Sequence, residues 1–133
     1  MDRNLIFVMT FYYFYIVAYM FYMFNKRKQA VINKEVRASH FKAYSGETSD
    51  YLKVIQNHFN NQFQIPVMFM IACLLTLQQQ KTSPLIISLA ILFVLSRIIH
   101  SLIHLGEDNV IKRASTYFIG VVAVGLIFIL NAL

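Results

Sequence analysis

The chain has 133 residues, 58% of them hydrophobic and 14% charged, with a net charge of +6. Soluble domains carry about 25% charged residues, so the composition points away from a soluble globular fold and towards one small membrane domain. Nor does the positive charge suggest a nucleic-acid binder, because Lys26, Arg27, Lys28, Lys34, Arg37 and Lys42 are gathered in one polar segment between two apolar stretches.

In hydrocarbon every backbone polar group must be bonded internally, so only helices and closed barrels cross, and a helix needs about 20 mostly apolar residues. The sequence predicts an all-α integral membrane protein, a single four-helix domain with spans at residues 5–24, 52–77, 84–105 and 114–133 and a loop at 25–50. Barrel strands would alternate in polarity, whereas the run Leu89-Ala90-Ile91-Leu92-Phe93-Val94-Leu95 does not. Basic residues mark the cytoplasmic side. The loop at 25–50 and the turn around Lys112 and Arg113 are therefore expected in the cytoplasm, with both chain ends and Lys81 outside. The basic loop suits anionic lipid headgroups as well as topology.

The first span is long and runs into Asn25-Lys26-Arg27-Lys28, which reads as an anchor and not as a cleaved leader. It is rich in aromatics, among them Phe11-Tyr12-Tyr13-Phe14-Tyr15, Tyr19 and Tyr22, whose hydroxyls require water, headgroups or a buried partner. Ser49 or Asp50 is placed to cap the second helix. Along its first half Lys53, Asn57, Asn60, Asn61 and Gln64 recur at helical spacing and share a polar face that cannot point at lipid tails. Pro66 then removes a backbone hydrogen bond and favours a kink. Cys73, the only cysteine, can form no internal disulfide.

Ser83-Pro84 has the residue types of an N-cap and first helical position. The third span should begin there, which puts Arg97 roughly 18 Å past Leu85 at about 1.5 Å per residue, in the cytoplasmic part of the bilayer. Gly106-Glu107-Asp108-Asn109 turns the chain into the fourth span, where Gly120 and Ala123 permit close helix packing.

A charge within a span costs about 2.5 to 3.5 kcal/mol on insertion scales, which makes an intramembrane Arg97 a functional candidate. Arg97, His100 and His104 share one face of the third helix, and Arg113 and Tyr117 lie one turn apart on the next. The short connection makes the two helices antiparallel neighbours whose faces, with the amides of the second helix, can enclose a polar pocket open to the cytoplasm. Two plainer arrangements compete with this. Arg97 can snorkel to the interface, or it can pair with Glu107 or Asp108 of its own loop. His100 and His104 have the spacing of a metal pair, but no HExxH motif is present and no metal site is expected. A channel would need polar groups through the outer half, where Leu74 and Leu89 stand.

Two segments are similar to a known family. The run Arg97-Ile98-Ile99-His100-Ser101, continuing through Leu105-Gly106 to Arg113 and Tyr117, resembles the third-to-fourth-helix segment of the MAPEG superfamily, the membrane-associated proteins in eicosanoid and glutathione metabolism. Residues 57–69, NHFNNQFQIPVMF, resemble the second helix of its short bacterial branch, and Lys26-Arg27-Lys28 after the first span also suits the family. The resemblance implies a homotrimer in the bacterial inner membrane that binds glutathione as co-substrate between subunits near the cytoplasmic side. It implies a transferase or peroxidase acting on a lipophilic electrophile or hydroperoxide. Arg113 and Tyr117 would then be catalytic. Arg97, His100, His104, Asn57, Asn60, Asn61, Gln64, Lys53 and Arg27 would bind glutathione. The sequence departs from the family pattern in four places. Gln64 stands for an acid, no arginine lies near Gln56, His104 stands for a tyrosine, and Ala114 stands for a serine. The alternative is a non-catalytic relative that binds lipid or a thiol ligand.

Overall fold

The computed structural model describes all residues except 44, 45, 47, 107 and 108, together with the side chain of Ala43. The six helices of the described residues are α1 (Asp2–Ile32), α2 (His40–Ala43), α3 (Asp50–Asn61), α4 (Ile65–Gln78), α5 (Pro84–Leu105) and α6 (Val110–Ala132). Four helical stretches are long and apolar enough to cross a membrane, α3 and α4 together forming one of them. Large apolar side chains such as Phe7, Phe14, Phe21, Leu74, Phe118 and Val122 lie on the outside of the bundle. In water such a surface would be an aggregation liability, but against lipid tails it is at home.

Local chemistry sets the helix ends. Ser83 Oγ accepts from the Ile86 amide at 3.3 Å with Pro84 following, so α5 starts where the cap residues predict. Asn109 Oδ1 accepts from the amides of Ile111 and Lys112, both at 3.1 Å. That cap starts α6 at Val110, earlier than the expected 114, and puts Arg113 within the helix rather than in the turn. α1 runs on through the basic cluster to Ile32. At 1.5 Å per residue it is about 46 Å long, more than the ~30 Å hydrocarbon core of a bilayer.

Between α3 and α4 the expected kink is a full break. The amides of Gln62 and Phe63 bond back to Phe59 and Asn60, both at 3.0 Å, in the tighter i to i−3 pattern. Pro66, without an amide, sits in the first turn of α4.

The core divides by polarity along the membrane normal. In the half away from the basic cluster Phe69 and Phe93 stack at 4.2 Å and the Tyr12 ring meets Phe93 edge-on at 5.5 Å, among Leu5, Ala72, Ala90 and Ile127. Among the described residues this half of the interior is packed with apolar side chains. A polar lock closes the end of that half, where Asn131 takes the Thr76 hydroxyl at 2.9 Å and donates to the Ala72 carbonyl at 2.9 Å. In the other half the buried face of α5 changes to Ser96, Arg97, His100, Ser101 and His104.

Close approach of α5 and α6 depends on Gly120. A Cβ there would lie 3.0 Å from Ser96 Oγ and 3.5 Å from the Phe93 ring. Gly120→Val is therefore expected to cost about 1–3 kcal/mol by overpacking, read as a lower unfolding temperature in detergent. Gly125 has nothing within 4 Å, so Gly125→Ala is expected to leave that temperature unchanged or raise it slightly through helix propensity. Equal effects of the two changes would contradict the packing described.

Candidate functional site

Arg97 is 1% exposed, so it does not snorkel. The guanidinium lies 5.5 Å from the centre of the Tyr117 ring, and its three nitrogens have no hydrogen-bond partner among the described residues. Glu107 and Asp108, the acids considered as its partners, lie outside the described residues. A cation–π contact is worth up to about 2 kcal/mol when desolvated, less than the several kcal/mol needed to take an ion out of water. The site thus presents buried positive charge that calls for an anion.

His100 and His104, one turn apart on α5, are 3% and 7% exposed. Arg113 on α6 engages both. Its Nη1 is 2.9 Å from His104 Nδ1, and its carbonyl is 3.0 Å from His100 Nδ1. Guanidinium nitrogens only donate and carbonyls only accept, so His104 presents a lone pair at Nδ1 while His100 carries its proton there. Tyr117 lies 6.0 Å from the His100 ring. A cavity of about 210 Å³ opens here, lined by Asn61, His100, Val110, Arg113, Ala114, Tyr117 and Phe118. Five of the sequence candidates, Arg97, His100, His104, Arg113 and Tyr117, thus form one cluster, with Asn61 at its edge.

The other candidates stand apart from it within a single chain. Asn57, Asn60 and Gln64 are exposed on the outer face of the bundle, so the amide stripe does not close the pocket in one subunit. Lys53 makes an exposed ion pair with Asp50 at 3.6 Å, worth little in water. The Arg27 guanidinium lies over the rings of Phe24 and Phe41, 6.0 and 5.1 Å from their centres.

Residues that the sequence reading passed over complete the cluster. His58 and Gln62 on α3 are 0% and 1% exposed. Gln62 Oε1 accepts the Tyr12 hydroxyl at 2.8 Å, and its Nε2 lies 3.3 Å from His58 Nε2. His58 Nε2 is also 2.7 Å from Ser101 Oγ, which the Tyr15 hydroxyl meets in turn. Gln62, not Gln64, is therefore the buried amide of the second span. The signal was there, since His58 and Gln62 are themselves four residues apart on the face next to the amide stripe. The rings of His58, His100 and His104 lie 5.3 to 6.0 Å apart. No group of residues among those described has the geometry to hold a metal ion.

The arrangement is that of a polytopic helical membrane protein with one buried and one half-buried arginine among imidazoles at one end of a four-span bundle. The chain belongs to the MAPEG family, which it matches over residues 5–133. Comparison with curated proteins and with solved structures gives no match.

Proposed function

We propose that the protein is a glutathione-dependent transferase or peroxidase acting on lipophilic electrophiles or hydroperoxides, with Arg113 and Tyr117 at the reacting sulfur. The observation that carries this reading is the cluster of Arg97, Arg113, His100, His104 and Tyr117, in which His100, Arg113 and Tyr117 line one small cavity while Arg97 and His104 pack behind them. Glutathione fits that donor set. It has two carboxylates for arginine forks and a thiol whose anion needs positive charge nearby. Arg97, whose nitrogens lack partners among the described residues, would take a carboxylate.

A free thiol titrates near pH 8.5, and lowering that by two units needs about 2.7 kcal/mol. Arg113 can supply it as a cation half-buried among imidazoles, and Tyr117 as a hydroxyl donor. When bound, glutathione supplies a thiolate that displaces a leaving group from carbon, or attacks a peroxide oxygen with cleavage of the O–O bond. An apolar groove of about 450 Å³ between α1 and the α3–α4 break has Gln62 in its wall and the size of a ligand site. It would admit the lipophilic partner from the bilayer.

The exposed amides Asn57, Asn60 and Gln64 support a homotrimer. They fall in the cytoplasmic part of the second span, where a face of this kind needs a neighbouring subunit or a ligand instead of lipid. In that assembly they would reach glutathione held by the adjacent chain. A bacterial inner-membrane location with the N-terminus outside follows from the same family reading and the charge pattern. The second reading, a non-catalytic binder, is favoured by Gln62 and Gln64, which carry no acid, and by Ala114 at the rim of the cavity.

The test is calorimetric titration of detergent-solubilised protein with glutathione, alongside native mass spectrometry. Binding at or below millimolar glutathione to a particle three chains in size is expected. Absence of binding at that concentration would overturn the enzyme reading, and a monomeric particle would overturn the shared site.

A further inference from the structure

We propose that His58 is a positioning residue that aims Arg113 through His104 and His100, an inference that rests on the assignment of Arg113 as the group activating the thiol. His58 lies on α3 and is fully buried. Its own ring is fixed from two directions. Nε2 is held by Ser101 Oγ of α5 at 2.7 Å and by Gln62 at 3.3 Å, and those two residues are tied to Tyr15 and Tyr12 of α1. The Tyr19 ring presses edge-on against it at 4.6 Å.

The faces of this fixed ring set the two imidazoles that touch Arg113. His100 is nearly parallel to it, with an interplanar angle of 24° and a centroid distance of 5.8 Å, and His104 lies at 5.3 Å. Arg113 rests on both by its two ends, the guanidinium on His104 and the carbonyl on His100. The contact demands opposite tautomers in neighbouring rings. His104 must leave Nδ1 bare to receive the guanidinium, while His100 must hold a proton on Nδ1 to reach the carbonyl. Left to rotate, either ring presents carbon Cδ2 in place of Nδ1 after a flip and loses the bond that fixes its tautomer. A rigid third ring against both, carried on α3 and held by Gln62 as well as by Ser101 of α5, suppresses that flip. Through them it reaches Arg113.

His58→Phe keeps a flat ring in the space and removes both hydrogen bonds. Nitrogen-15 spectra of histidine-labelled protein without glutathione read the tautomers directly, and only four histidines need assignment. The wild type is expected to show His104 bare at Nδ1 and His100 protonated there, with both signals changed to mixed tautomers in His58→Phe. With glutathione bound, the midpoint of thiol deprotonation, read by thiolate ultraviolet absorbance, is expected to rise by about one pH unit, a tenfold loss of thiolate below it. The same substitution made in Arg113→Ala is expected to add nothing, because residues acting through one another are non-additive. Unchanged tautomers in His58→Phe, or additive shifts in the double variant, would overturn the proposal. If His58→Phe does not fold, Ser101→Ala removes one anchor with the ring intact and is held to the same tautomer readout. A wild type that binds no glutathione defeats the assignment of Arg113 but leaves the tautomer experiment to decide the positioning.

Discussion

Arg113→Ala is expected to lower glutathione-dependent turnover of an activated aryl halide on the order of 10²- to 10³-fold, the loss typical of removing one preorganised charge-stabilising donor. Most of that loss should appear in kcat, with KM for glutathione rising far less. Arg97 and the imidazoles remain to bind the tripeptide, whereas the thiolate loses its counter-charge. Arg113 suits this role because it is half-buried at the cavity wall, in contact with His104 and His100. The pH dependence gives the sign of the effect. Without the cation the thiol reverts towards its ordinary value near 8.5, so the variant should recover part of its rate as pH rises from 7 to 9. The wild type should change little over that range. A variant with turnover within threefold of wild type, or with no gain at high pH, would remove Arg113 from the chemistry.

Arg97→Met is expected to separate stability from function. Replacing a buried ion by an apolar side chain of similar length is often neutral or stabilising by about 1–4 kcal/mol. Here the ring contact with Tyr117 is the main compensation for Arg97 among the described residues. The unfolding temperature of the ligand-free variant should equal or exceed that of the wild type. Its affinity for glutathione should fall about a hundredfold, or about 2.7 kcal/mol, because the carboxylate loses a charge-assisted fork. Thermal unfolding with and without glutathione reads both quantities in one series. If Arg97→Met instead unfolds at a much lower temperature, Arg97 is a structural strut and the site must be sought elsewhere.

Both predictions rest on residues that the primary sequence already marked, because charge inside an apolar run is visible without any structure. The apolar runs also decide the class, since four stretches of about 20 mostly apolar residues match the length that crosses a bilayer. Helical spacing grouped Arg97 with His100 and His104, and Arg113 with Tyr117, because the period of a single helix fixes which of its own residues share a face.

What spacing within one helix cannot supply is which face meets which neighbour. The amide stripe of Asn57, Asn60 and Gln64 was expected to close a pocket, but in the single chain it turns outward, and His58 and Gln62 point in. The deciding contacts are long-range: Gln62 with Tyr12, His58 with Ser101, and His100 with the Arg113 carbonyl. Each sets the rotation of one helix about its axis against another. Within lipid, where apolar burial barely distinguishes inside from outside, such rotations follow from packing and interhelical hydrogen bonds. A four-span membrane chain with cationic groups towards one end is legible from the order of residues alone. That three imidazoles cluster beside Arg113 comes from tertiary packing alone, because it requires three helices to be turned towards one another at the same depth.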